Sequence, residues 1–149
     1  MKCATLNNRV AHFIRDHSPI CTFCRILARG DASDETTLHL FYECQSTETV
    51  RNDFFIWAYN EAADYTISRN ELFLVQNVNG EYNCTTLIKT IIAKLFLKYI
   101  WDSRNRFSLP NIREAKENIT SDLLTLVNSG NSIRRNFYDS GLAQKFLQG

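Results

Sequence analysis

Proline and glycine are scarce in this chain. Two prolines and five glycines in 149 residues leave few breaks in helical segments and no glycine-rich loop of the kind that cradles a phosphate. Long apolar runs are also missing. The longest, Leu87 to Trp101, is interrupted by Lys89, Lys94 and Lys98; it is too short and too charged to cross a bilayer, so no membrane partner is expected. Residues 1–14 carry Asn7, Asn8, Arg9 and His12 where a signal peptide needs an apolar core, and the expected setting is intracellular and reducing. No nucleophile stands beside a recognisable base, and no carboxylates cluster as a catalytic metal would require. An enzyme, and with it a small-molecule substrate, is not expected. Asp31, Asp34 and Glu35 lie close enough to chelate a hard cation, but they lack calcium-loop spacing and read as a solvated loop. Asn118-Ile119-Thr120 fits a glycosylation sequon that an intracellular chain would not use.

What is present is a folded composition, 44% hydrophobic and 12% aromatic, with an uneven charge distribution. The net charge of +1 hides a basic segment 1–30 at +4, an acidic segment 31–81 at −8 and a basic segment 82–149 at +5. Such asymmetry bears on partners: it fits a phosphate-binding surface, or two solvated faces that attract each other.

Apolar periodicity predicts a mostly α chain. Leu6, Val10, Phe13 and Ile14 mark a helix over about 5–16, ended by Ser18-Pro19. A second helix starts near Thr36 and includes His39. A third runs from Ser46 to Ala63, with Val50, Phe54, Trp57 and Ala58 inward. Residues 72–75 read as a short strand or a buried turn, and Asn79-Gly80 as a turn. The longest helix spans about 85–107, burying Leu87, Ile88, Ile91, Ile92, Leu95, Tyr99 and Ile100. Pro110 stops it and Asn111 caps a helix over 112–128, which Gly130 closes. A last helix takes 133–147. The expected division is a zinc-binding helical module over 1–63 and a small helical bundle over 64–149, or one continuous domain.

Five cysteines in a reducing setting favour metal binding over disulfides. Four residues stand out: Cys21-x2-Cys24-x14-His39-x4-Cys44. A cysteine pair two residues apart forms a knuckle that turns both sulfurs toward one ion, and zinc accepts four such ligands tetrahedrally. Weaker readings are a Cys21–Cys24 disulfide, which needs an oxidising compartment, and an iron–sulfur cluster, which more typically uses four cysteines. With four protein ligands, one Zn2+ would be structural. Three thiolates and a neutral imidazole leave the loaded site at −1, which Arg25 and Arg29 can offset. His12 and His17 read as surface histidines, and Cys3 and Cys84 as plain thiols.

The order Leu6-Asn7-Asn8-Arg9, Cys21-Thr22-Phe23-Cys24, then Glu35-Thr36-Thr37-Leu38-His39-Leu40-Phe41-Tyr42-Glu43-Cys44 resembles the zinc-binding region downstream of reverse transcriptase in non-LTR (LINE-type) retrotransposons. Phe54, Phe55 and Trp57 match the aromatic helix that follows there. Leu87 to Arg106 with Leu109-Pro110 looks like the family's closing segment. The resemblance implies an accessory segment that grips element RNA or target DNA beside the polymerase domain, in a nuclear or cytoplasmic ribonucleoprotein. It departs from relatives that append a restriction-like nuclease with a Pro-Asp pair, since Pro19 and Pro110 precede Ile20 and Asn111.

Two functions are therefore expected from different classes. One is a nucleic-acid-binding module, whose phosphate track would comprise Lys94, Lys98, Arg104, Arg106, Arg113 and Lys116, extended by Arg25 and Arg29. The other is a structural or protein-interaction domain docking on the polymerase or another partner.

Overall fold

A computed structural model describes residues 6–13, 17–28, 30, 32–73 and 83–148; for His12 and Phe13 it describes the backbone alone. The chain is mostly α, as its periodicity predicts. Its elements are α1 (Asn7–Phe13), α2 (Thr22–Ile26), a π-helical turn (His39–Glu43), α3 (Gln45–Tyr59), α4 (Arg69–Phe73), α5 (Cys84–Asn105), α6 (Ile112–Ser129), α7 (Asn131–Asp139) and α8 (Ala143–Leu147). Among the described residues the sole β pairing is one antiparallel bridge between Ile20 and Asp34. No described helix is long and apolar enough to cross a membrane.

Two compact units result, each built from two stretches of chain: 1–49 with 100–110, and 50–99 with 111–149. Each combines an early and a late stretch of the chain. Two of the three boundaries fall inside α3 and α5, and the third lies between Pro110 and Asn111.

In the second unit, α3 and α5 meet through aromatic rings. Phe54, Phe55 and Phe96 are fully buried, with ring centroids 5.1 to 5.8 Å apart. The broad apolar face of α5 centres on Ile88, Ile92, Ala93 and Phe96, while Leu87, Ile91 and Leu95 are half-buried. Periodicity alone left out Phe96. α6 buries Ala115, Ile119, Leu123 and Val127, a four-residue repeat that keeps one stripe inward. Asn111 caps α6 as expected, its side chain accepting from the Glu114 amide at 2.8 Å. The Tyr99 hydroxyl holds that cap in place by accepting from the Asn111 amide at 3.1 Å and facing its carbonyl at 3.3 Å.

Several expected elements differ. The third helix stops at Tyr59, where Asn60 turns left-handed at φ 55, the knuckle region contains the short helix α2, and the helix expected from Thr36 is the π-helical turn. Leu72 and Phe73, read as the start of a strand or turn, close the short helix α4, whose start the Ser68 hydroxyl caps by accepting from the Glu71 amide at 3.1 Å; the rest of that segment and the expected Asn79-Gly80 turn lie outside the described residues. The closing helix is two helices, because Gly141 takes φ +79, a left-handed conformation that ends a helix. Ser140 seals the break: its Oγ donates to the Phe137 carbonyl at 2.6 Å and accepts from the Leu142 amide at 3.1 Å.

The first unit contains the end of α5, which closes as a Schellman motif. The Ser108 amide bonds the Ser103 carbonyl and the Phe107 amide bonds that of Arg104, both at 3.0 Å. Phe107 then occupies the left-handed position, at φ 53, where glycine is usual. Its ring is 70% exposed, so no burial offsets the strain.

Candidate metal centre

Cys21 and Cys24 sit at the N-cap and in the first turn of α2. Residues three apart on a helix share a face, which is why the x2 spacing turns both side chains the same way. The knuckle is anchored from outside: the Cys21 amide bonds the Ser33 carbonyl at 2.9 Å and the Glu35 amide bonds the Pro19 carbonyl at 2.8 Å.

His39 and Cys44 arrive by a less ordinary route. Five residues of α-helix make about 1.4 turns and would leave the two side chains on different faces. Here the Cys44 amide reaches back to the His39 carbonyl at 2.6 Å, an i→i+5 ring that widens the turn and brings both residues to one side. The Thr36 hydroxyl starts this segment by accepting from the His39 amide at 3.0 Å. Widening leaves the Leu40 carbonyl without its usual i+4 donor, and the buried Thr47 hydroxyl supplies one at 2.7 Å.

The four ligand atoms of Cys21, Cys24, His39 and Cys44 lie within 4.8 Å of one another. Cys21 Sγ is 3.9 Å and Cys24 Sγ 4.0 Å from Cys44 Sγ, and Cys24 Sγ is 3.4 Å from His39 Nε2. A tetrahedral ion with metal–sulfur bonds of about 2.3 Å would set sulfur–sulfur edges of roughly 3.8 Å. The two sulfur–sulfur distances are close to that edge, and the group can hold one metal. Cys21, Cys24, Cys44 and Cys84 are free thiols, so the structure does not take the disulfide alternative.

The three sulfurs share protons unevenly. Cys21 is pushed up by the hydrogen bond it donates to Cys44 and by burial. Cys24 is raised by burial. Cys44 is held well below the ordinary thiol value by that bond from Cys21, against burial, with help from His39 and the Ser46 and Thr47 amides. Those amides open α3, and a helix N-terminus favours a thiolate. A divalent cation arriving here would displace the remaining thiol protons.

One residue next to the centre was misread from sequence. Glu35 is not solvated; it is fully buried. Its Oε1 accepts from the Asn7 amide at 2.8 Å and from Arg104 Nη2 and Nε at 2.8 and 3.2 Å, and its Oε2 accepts from the Thr22 amide at 2.8 Å. Thus one carboxylate ties together the first residues of α1 and α2 and the end of α5. Burial alone would raise its pKa, but the Arg104 guanidinium and the two amides outweigh it and hold the carboxyl below its usual value. Asn7 completes the cluster, its Nδ2 donating to the Ile20 carbonyl at 2.8 Å and its Oδ1 accepting from Arg104 Nη2 at 3.0 Å. His17 Nε2 lies 3.1 Å from that same Oδ1, so it joins this network. No local sequence signal marks the pairing, because Arg104 lies 69 residues from Glu35.

The cations expected to form a phosphate track fall in different circumstances. Arg104 is a correction: its side chain is 12% exposed and bound to Glu35, a structural use that keeps it from a phosphate. Arg25, Lys94, Arg106 and Arg113 are exposed. Lys98 faces Asp122 at 3.3 Å and Arg113 faces Glu117 at 3.2 Å. Exposed pairs of this kind contribute about 0–1 kcal/mol, too little to withhold either cation from a ligand. Lys116 lies over the Trp57 ring, 5.0 Å from its centroid. Arg29, Asp31 and Cys3 lie outside the described residues. Arg25, Arg104 and Arg106 belong to the first unit; Lys94, Lys98, Arg113 and Lys116 belong to the second.

Fold and site together define a class, a mostly α-helical chain with a cluster of three buried cysteines and one half-buried histidine. No protein-family model, curated protein or solved structure matches the chain.

Proposed function

We propose that this chain is a non-enzymatic, zinc-stabilised module that binds nucleic acid, an accessory segment of a retroelement reverse transcriptase working within an intracellular ribonucleoprotein. The observation that carries the zinc reading is the closed donor set. Three sulfurs and one imidazole nitrogen converge at tetrahedral spacing, a combination suited to zinc. Zinc bound by four protein ligands supplies cross-linking and keeps no open position for water or substrate. Cys21, Cys24, His39 and Cys44 would hold it, joining α2 to the start of α3. The nucleic-acid reading is supported by the resemblance of the Glu35–Cys44 segment to the retroelement motif and by the exposed cations Arg25, Lys94, Arg106 and Arg113.

The test is fluorescence anisotropy of the zinc-loaded chain with single-stranded RNA, single-stranded DNA and duplexes over a range of salt. If about four side chains neutralise phosphates, log affinity should fall against log salt with a slope of roughly −3 on single strands. Absence of binding at low salt would sink this reading. A protein-docking function is then the better one, favoured by Ile26 and Leu27, which stand 43% and 44% exposed at the end of α2.

A further inference from the structure

The second unit contains an open groove of about 650 Å³ between α3, α6 and α8. Its apolar lining is Trp57, Ile112 and Phe146, and its cations are Arg113, Lys116 and Lys145. Glu117 is the one acid among the lining residues, and it already faces Arg113 at 3.2 Å. The groove therefore carries a net positive charge over an aromatic floor. Pockets of roughly 300–1,000 Å³ accept ligands the size of a nucleotide.

Resting on the nucleic-acid reading above, we infer that this groove is where the chain takes single-stranded nucleic acid, stacking an unpaired base on Trp57 and holding the flanking phosphates with Arg113, Lys116 and Lys145. Trp57 is braced from one side, where Phe146 meets its ring edge-on at 5.2 Å and 75°. Arg113 and Lys116 lie three apart on α6, so they share a face, and Lys145 comes from α8. Lys116 covers the Trp57 ring when no base is there. An exposed cation–π contact contributes only about a 2- to 5-fold factor, against roughly 5- to 150-fold for stacking one base. A base therefore displaces the ammonium, which is freed to meet a phosphate. A duplex keeps its bases stacked on each other and gains only the phosphate contacts, so the groove favours single strands.

The experiment uses the full zinc-loaded chain with Trp101→Phe, leaving Trp57 as the sole tryptophan. The probes are a twelve-nucleotide oligouridylate and an abasic strand of equal length. Oligouridylate should quench Trp57 fluorescence and bind at least 5-fold more tightly than the abasic strand. Arg113→Glu with Lys145→Glu should weaken binding more than 10-fold and reduce the salt slope by about 1.4, two phosphates' worth. Arg135→Glu, an exposed cation on α7 outside the groove, should do neither, and unchanged thermal midpoints show that the variants fold. Oligouridylate binding that ignores the double reversal and leaves Trp57 unquenched overturns the groove while leaving nucleic-acid binding intact. No binding by either probe at low salt overturns both. Saturable quenching of Trp57 by polyglutamate without oligouridylate binding also overturns the assignment, making the groove a site for acidic peptides.

Discussion

Replacing Glu35 with glutamine keeps the side chain's shape and removes its charge, and the structure sets what that should cost. The carboxylate accepts four hydrogen bonds while fully buried. Glutamine retains one acceptor oxygen and puts an NH2 group where the other stood. Turned toward Thr22, that NH2 meets another donor and orphans the amide at the start of α2, a loss of about 1–3 kcal/mol. Arg104 loses its counter-charge at the same time. Breaking a buried pair typically costs about 3–5 kcal/mol, but Arg104 keeps Asn7 Oδ1 at 3.0 Å, Asn105 Oδ1 at 3.2 Å and some exposure. The expected destabilisation of the first unit is therefore about 3 kcal/mol. Urea unfolding of the metal-loaded chain reads it through Trp101, whose ring lies 5.2 Å from the Arg104 guanidinium carbon, in a Trp57→Phe background. A double-mutant cycle with Arg104→Met should give a coupling of about 2 kcal/mol or more. The pH dependence has a definite sign. Glu35 is depressed in the folded chain from 4.5, so its stabilisation is present above that value and is lost as pH falls through the native one. The gap between wild type and Glu35→Gln should be flat near neutrality and shrink below pH 4.5. A coupling under about 0.5 kcal/mol, or a gap that widens on acidification, would refute the account of Glu35 as a charged tie between three helices.

Elemental analysis should find one zinc per chain. Alanine at Cys21, Cys24, His39 or Cys44 should abolish it, whereas Cys84→Ser should leave it intact; loss of zinc with Cys84→Ser would break the assigned ligand set. Glu35→Gln should weaken zinc binding by about 10- to 100-fold, because Thr22, which it holds, sits between two ligands; competition with a chromophoric chelator measures this. Phe107→Gly should stabilise the chain by about 0.5–1 kcal/mol by relieving the left-handed backbone, and a lower midpoint would show that the exposed ring makes a contact of its own. Asn111→Ala should cost about 1 kcal/mol through loss of the α6 cap, read by chemical denaturation.

How much was legible in the sequence follows from how local each feature is. The cysteine pair, the histidine and the last cysteine were readable because ligand spacing is a property of one short segment. The Asn111 cap of α6 was readable for the same reason: it depends on neighbours within a few residues. Gly141 also lay in plain view, yet the closing helix was read as continuous, since a glycine ends a helix only when its backbone turns left-handed. The segment after Thr36 was read as an ordinary helix; its π-helical widening, with the i→i+5 bond that brings His39 and Cys44 to one side, is not encoded in propensity. Charge use was decided by tertiary structure alone. Arg104 and Arg106 look alike in sequence, but folding buries one against Glu35 and leaves the other in solvent. Glu35 likewise stands beside exposed Asp34, and only a partner 69 residues away makes it a buried tie. Local pattern determined most of the helices and the cysteine–histidine cluster; which charges hold the fold and which face outward depended on distant residues meeting in space.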